Sequence, residues 1–217
     1  MDITISSQSQ VNKCLNLYNR IDNEVQKYNS SCKQRCSACC HDYFYVSEIE
    51  FYTIMQFLLK DKDYNSTIDR LIKNAKEFCR DLKNELPEEY HKAFSMDTNR
   101  SIEYYLNPIG DSRISFSKPC IFLNNKNRCS IYEVRPIVCR LYGTIIDTRQ
   151  PNNFRCEYAT YNSNNDFSEN SLSLEIDNIN FNNGVFQKPK PFLYWFSEYV
   201  PFLKVGQYKK VIEKCTE

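Results

Sequence analysis

Ser31-Cys-Lys-Gln-Arg-Cys-Ser-Ala-Cys-Cys-His41 carries four thiols in eleven residues and lies between two stretches of helical periodicity. That placement decides the fold: a tight Cys-rich segment held between helices. Upstream, Val11, Cys14, Leu15, Tyr18, Ile21, Val25 and Tyr28 recur every three or four residues, the stripe of an amphipathic helix. Downstream, Ser47-Glu-Ile-Glu50 is a capping-box pattern, in which Ser and Glu side chains satisfy orphan N–H groups reciprocally. The helix it opens continues through Tyr52, Met55, Leu58 and Leu59. A third helix is predicted from about Ser66 to Leu86, with Ile68, Leu71, Ile72, Ala75, Phe78, Cys79 and Leu82 on one side. Pro87 closes it, because proline cannot continue a helix interior.

A second Cys-rich segment runs from Lys118 to Cys156. Within it, Cys120-Ile-Phe-Leu123 and Cys129-Ser-Ile-Tyr132 read as two short strands joined by the Asn124-Asn-Lys-Asn127 turn. Pro136 suits the first turn of a short helix carrying Cys139. Residues 159–186 are rich in Asn and Ser and read as a loop or insertion. Residues 187–217 form an aromatic helical segment with Phe192, Tyr194, Trp195, Phe196, Tyr199 and Phe202, most simply core packing. There is no internal repeat. The predicted fold is mainly α, one domain over 1–217, with helices around a small Cys-rich metal-binding core at 30–158 and one short β-hairpin.

Composition narrows the function. The 217 residues are 41% hydrophobic and 25% charged, enough to bury a core. A net charge of +1 argues against a dedicated nucleic-acid or acidic-lipid binder. The four glycines, Gly110, Gly143, Gly184 and Gly206, are isolated, so no phosphate-cradling loop is present. Met1 to Lys13 shows neither a basic n-region nor an apolar h-region. No stretch approaches the roughly 18 apolar residues of a spanning helix. The expectation is a cytoplasmic chain without membrane partners, where clustered Cys bind metal rather than form disulfides. The 11 Cys, an odd number, lean the same way.

The spacing Cys32-x3-Cys36-x2-Cys39-Cys40 lets thiolates converge on one centre from a single turn of backbone, as at zinc and iron–sulfur sites. Adjacent Cys39 and Cys40 point in different directions, so one serves a different site or bridges two. Cys120, Cys129, Cys139 and Cys156 bring the candidates to eight: two four-ligand sites, or one site with reserve thiols. Residues 31–41 and 118–156 hold nine basic residues (Lys33, Arg35, Lys118, Lys126, Arg128, Arg135, Arg140, Arg149 and Arg155) against Glu133 and Asp147, a surplus of seven. Such charge stabilises anionic thiolate centres and lowers thiol pKa values, though it also suits phosphates. The three-thiol spacing is also that of radical-SAM enzymes. The short chain, the missing Gly-rich strand and the lack of a repeated βα pattern argue against one.

The string from Cys32 to Cys40, followed by Pro119-Cys120-Ile-Phe-Leu123, Cys129-x-Ile-Tyr132, Arg135-Pro136-x2-Cys139-Arg140 and Cys156, resembles the YkgJ-type cysteine-cluster family over roughly residues 30–158. This is a zinc- or iron-chelating domain whose relatives include the flagellin lysine methylases. The resemblance implies that Cys32, Cys36, Cys39, Cys40, Cys120, Cys129, Cys139 and Cys156 chelate metal, as a 4Fe–4S iron–sulfur cluster or as zinc. Three functions stay open: an iron–sulfur oxidoreductase, a zinc-stabilised interaction domain, and a protein lysine methylase of the flagellin type. The partners implied are the metal or cluster and a protein substrate or redox partner. Arg135 and Arg140 are candidates for binding an anionic cofactor, with ion-pairing near the cluster as the competing role.

The remaining chemistry-bearing residues have simpler readings. Cys14 and Cys79 sit on apolar helix stripes and read as small buried hydrophobes. Cys215 lies near the end of a short C-terminal helix and carries no assigned role. His41 reads as a surface group or a neighbour of the metal ligands, and His91 as solvated.

Overall fold

A computed structural model describes residues 8–27, 37, 40, 44–94, 118–141 and 190–204. They form α1 (Gln8–Lys27), β1 (Tyr45–Val46), α2 (Glu48–Leu59), α3 (Tyr64–Glu85), α4 (Pro87–Phe94), a 3-10 turn (Tyr132–Val134), α5 (Ile137–Leu141), β2 (Lys190–Pro191) and α6 (Phe192–Lys204). The fold is mainly helical, as the periodicity predicts. Among the described residues, no helix is long and apolar enough to cross a membrane.

Helix α2 is the centre. Ile49, Phe51, Ile54 and Met55 have no exposed surface, and Tyr52 and Leu58 are buried as well. A helix apolar on every side must be covered on every side. Helix α1 covers it with Val11, Cys14, Leu17, Tyr18 and Ile21. Helix α3 adds Ile68, Leu71, Ile72, Ala75, Phe78 and Leu82, and α6 adds its aromatic residues. Each large side chain so buried contributes about 1.5–3 kcal/mol of transfer free energy. The capping box is formed: Glu50 N–H donates to Ser47 Oγ at 3.4 Å, and Ser47 N–H donates to Glu50 Oε2 at 2.9 Å. The aromatic segment is packing, with Phe192, Tyr194, Trp195, Phe196 and Tyr199 all buried.

Strands β1 and β2 pair antiparallel, Tyr45 with Pro191 and Val46 with Lys190. Phe192 N–H donates to Phe44 O at 2.9 Å, and Trp195 Nε1–H donates to Val46 O at 2.9 Å. The head of α6 is thereby fastened just ahead of α2. On the far face of that contact, Glu48 Oε1 accepts from Tyr199 Oη at 2.7 Å and Tyr52 Oη at 3.1 Å, and the two hydroxyls lie 2.6 Å apart.

Two expectations need correction. Pro87 ends α3 but also opens α4, occupying the first helical position, where its missing N–H has no intrahelical partner to lose. The predicted hairpin contracts to one antiparallel bridge, Leu123 with Cys129. Its turn is present, but the second predicted strand gives way to the 3-10 turn Tyr132–Val134, which steers the chain into α5. Val25 and Phe202 belong to α1 and α6, but their side chains lie outside the described residues, as do Tyr28, His41, residues 159–186 and Cys215.

Candidate metal centre

The two Cys-rich segments meet through their backbones. Cys120 N–H donates to Cys40 O at 2.6 Å. Cys40 itself closes a turn, its N–H donating to Ser37 O at 2.9 Å. Beyond Cys120 the chain folds back on itself, with Leu123 N–H on Cys120 O at 2.9 Å and Ser130 N–H on Phe122 O at 2.9 Å. The Leu123–Cys129 bridge returns Cys129 to the side of this turn. Asn74 Nδ2–H reaches from α3 to Ile121 O at 3.3 Å and ties the turn to the helical body.

Cys40, Cys120, Cys129 and Cys139 are all partly buried and form no disulfide. Cys32, Cys36, Cys39 and Cys156 lie outside the described residues. Among the described residues, no three His, Cys, Asp or Glu side chains gather closely enough to hold an ion. Those residues include only half of the predicted set. The donors present fit a soft or borderline metal: thiols free of disulfides, sheltered from full solvent, on segments joined by a backbone hydrogen bond.

Cys139 is mounted differently, on α5. The N–H of Ile137, the first residue of that helix, donates to Glu50 Oε1 at 2.8 Å. Arg140, 3% exposed, is held by every nitrogen of its guanidinium. Nε–H donates to Arg135 O at 2.8 Å and Nη2–H to Glu133 O at 2.6 Å, while Nη1 pairs with Asp22 Oδ2 on α1. Its Cζ lies over the Tyr18 ring, 4.2 Å from the ring centre. Arg135 meets the other Asp22 oxygen at 3.5 Å and lies 4.2 Å over the Tyr132 ring. Both predicted anion-binding arginines thus engage the helical body.

The other basic residues divide. Lys118 pairs with Asp81 on α3 at 3.2 Å, and Arg80 pairs with the same carboxylate at 3.0 Å. These neighbours, Arg80 first, hold the Asp81 carboxyl below its ordinary range. Lys126 and Arg128 are exposed. Cys14 is 1% exposed, and burial, followed by the nearby Glu50, pushes its thiol up to about 12. Burial likewise pushes Cys79 up to about 11. Neither sulfur ionises readily, as their stripe positions predict. His91 is exposed on α4, its ring 6.0 Å from that of Tyr90.

Sequence reasoning misses Asp22 and the second role of Glu50. Asp22 has one available signal, its spacing of four from Tyr18 beside the apolar stripe, and Glu50 is legible only as the cap of its own helix. Their partners stand 118 and 87 residues away, beyond the range of any local pattern.

Residues 31–164 match the CxxCxxCC family, whose description is "putative zinc- or iron-chelating domain". No curated protein and no solved structure matches the chain. The matched span covers more than half of the sequence, and it contains the eight-thiol set, the Cys40–Cys120 junction and α5 with its arginine. The chain belongs to the CxxCxxCC family of zinc- or iron-chelating domains.

Proposed function

We propose that this chain holds a 4Fe–4S iron–sulfur cluster in thiolates drawn from Cys32, Cys36, Cys39, Cys40, Cys120, Cys129, Cys139 and Cys156, and that it works in the cytoplasm. The carrying observation is the 2.6 Å hydrogen bond from Cys120 N–H to Cys40 O, which joins the two thiol-bearing segments. Backbones so close allow side chains from both segments to serve one centre. The basic surplus of the two segments suits an anionic centre of either kind, since a 4Fe–4S²⁺ core or a Zn²⁺ ion with four thiolates carries a charge of about −2. Such a cluster would supply one-electron chemistry. The chain's own part is to shelter the thiols and set their positions. A protein redox partner or protein substrate would approach on the side of Cys40, Cys120, Cys129 and Cys139, residues that are only partly buried.

Zinc in the same thiolates would make the chain a metal-stabilised interaction domain, in which binding free energy is folding free energy. Isolation without air, elemental analysis and an absorption spectrum separate the two. Iron–sulfur protein is brown, and its broad visible band bleaches with dithionite. Stoichiometric zinc in a colourless protein that resists cluster reconstitution would replace the iron–sulfur reading with zinc. Fully folded protein carrying neither metal would overturn both.

A further inference from the structure

Glu50 has no exposed surface, yet its carboxylate serves two helices. Oε2 accepts from Ser47 N–H at 2.9 Å and Ser47 Oγ at 3.1 Å, completing the cap of α2. Oε1 accepts from Ile137 N–H at 2.8 Å, at the start of α5, with the Tyr18 hydroxyl at 3.5 Å. Helix α5 has only five residues and cannot hold itself, since isolated helices of that length do not persist in water. Its position is therefore imposed from outside. Glu50 on α2 fixes its first residue, and Asp22 on α1 fixes Arg140. Cys139 lies between these two anchors.

We propose that Glu50 is a positioning residue for the metal centre: by capping α2 and α5 with one carboxylate, it sets where the Cys139 thiolate stands relative to the other thiols. The inference rests on the reading of Cys139 as a ligand. A carboxylate is needed because it presents two acceptor oxygens. Glutamine has the same length but one oxygen, so its NH2 group must face either Ser47 N–H or Ile137 N–H. Two donors then meet, and one helix loses its cap.

The test uses the full chain, reduced and metal-free, titrated anaerobically with Co²⁺ while thiolate-to-cobalt absorption is followed. Chelator competition gives the affinity, and urea unfolding of the same samples gives the stability. Glu50→Gln should retain helical circular dichroism and bind Co²⁺ about 10- to 100-fold more weakly, the range found when groups supporting a metal ligand are removed. Tyr199→Phe is the control: it removes the hydroxyl that joins α6 to Glu48 and Tyr52 on α2, and it leaves both acceptor oxygens of Glu50 in place. It should lower the urea midpoint while Co²⁺ affinity stays within about twofold, as for independent sites. Unchanged affinity in Glu50→Gln overturns the inference. Affinity that falls in both variants in step with stability also overturns it, because Glu50 would then be merely structural.

Should Glu50→Gln fail to fold, Arg140→Lys loosens α5 from its other end and leaves the α2 cap whole. It should weaken Co²⁺ binding similarly, and wild-type affinity there overturns the inference. If the wild type gives no thiolate–cobalt absorption, the metal reading falls and this one with it. Normal wild-type binding with an indifferent Glu50→Gln sinks this one alone.

Discussion

The cysteines of this chain divide by what surrounds the sulfur. Cys14 is sealed between α1 and α2, and its folded pKa of about 12 stands above the ordinary 9.0. An acid whose folded pKa is raised contributes stability that is whole below its unfolded pKa and is lost as pH rises through the folded value. The contribution from Cys14 therefore drains away as pH climbs from 9.0 towards about 12. Cys14→Ala should flatten the fall of the urea midpoint over that range relative to wild type. Cys14→Ser and Cys79→Ser should keep full metal occupancy, the former costing roughly 1–2 kcal/mol for a hydroxyl in an apolar site. Cys36→Ser, Cys39→Ser, Cys129→Ser and Cys139→Ser should each lower the metal-to-protein ratio under identical anaerobic preparation, because a hydroxyl is a poor soft-metal ligand. Sensitivity of Cys14 equal to that of Cys36 would require the ligand set to be redrawn. Cys14 is legible as a core thiol because its stripe position already states its environment, whereas Cys79, on the α3 stripe, is only partly buried at the edge of the core. The supports of Cys139 are not legible, because Asp22 and Glu50 reach it only through tertiary contact.

At the scale of elements, the turn between Cys120 and Cys129 shows which local chemistry a sequence reveals. Asn124 Oδ1 accepts from Lys126 N–H at 2.9 Å and Arg128 N–H at 3.0 Å. Asn127 sits at φ 54, in the left-handed region that asparagine tolerates better than most residues. Asn124→Ala should cost about 1–2 kcal/mol through the loss of these bonds. Asn127→Gly should be close to neutral, whereas Asn127→Val should cost about 1–2 kcal/mol for a β-branched side chain at positive φ. Urea unfolding checks all three; an innocuous Asn127→Val would refute the assigned backbone conformation. Turn residues carry their own instructions, so the Asn cluster is readable. Strands need a partner, so the sequence around this turn suggests more pairing than the single Leu123–Cys129 bridge, and nothing local announces the pairing of Tyr45–Val46 with Lys190–Pro191. Helices α1 and α3 repeat their apolar residues at a fixed period, and α2 announces its start through the capping box, so all three are legible nearly to their ends. Pro87 is ambiguous in principle, since the same missing N–H that stops one helix suits the start of another.

For the molecule as a whole, α6 completes the core. Phe192, Leu193, Tyr194, Trp195, Phe196 and Tyr199 are each 7% exposed or less. Burying each such side chain is worth about 1.5–3 kcal/mol. Together they rival the total stability of about 5–15 kcal/mol that a domain retains. A chain ending before Lys190 should therefore lose cooperative urea unfolding and bind the dye ANS through uncovered apolar surface. Cooperative unfolding of that truncated chain at the wild-type midpoint would show that α1, α2 and α3 suffice alone.

The order in which the chain is made gives α6 a further meaning. Helix α2 is complete at Leu59 and α6 begins at Phe192, so residues 60–191 must be polymerised before the cap exists. At about 5–20 residues per second this interval lasts roughly 7 to 26 s. Once the apolar flank of α2 leaves the ribosome, the helix that covers it has still to be made. A ribosome that stalls in that stretch releases a sticky intermediate, which makes such nascent chains natural clients for chaperones and early targets for proteases.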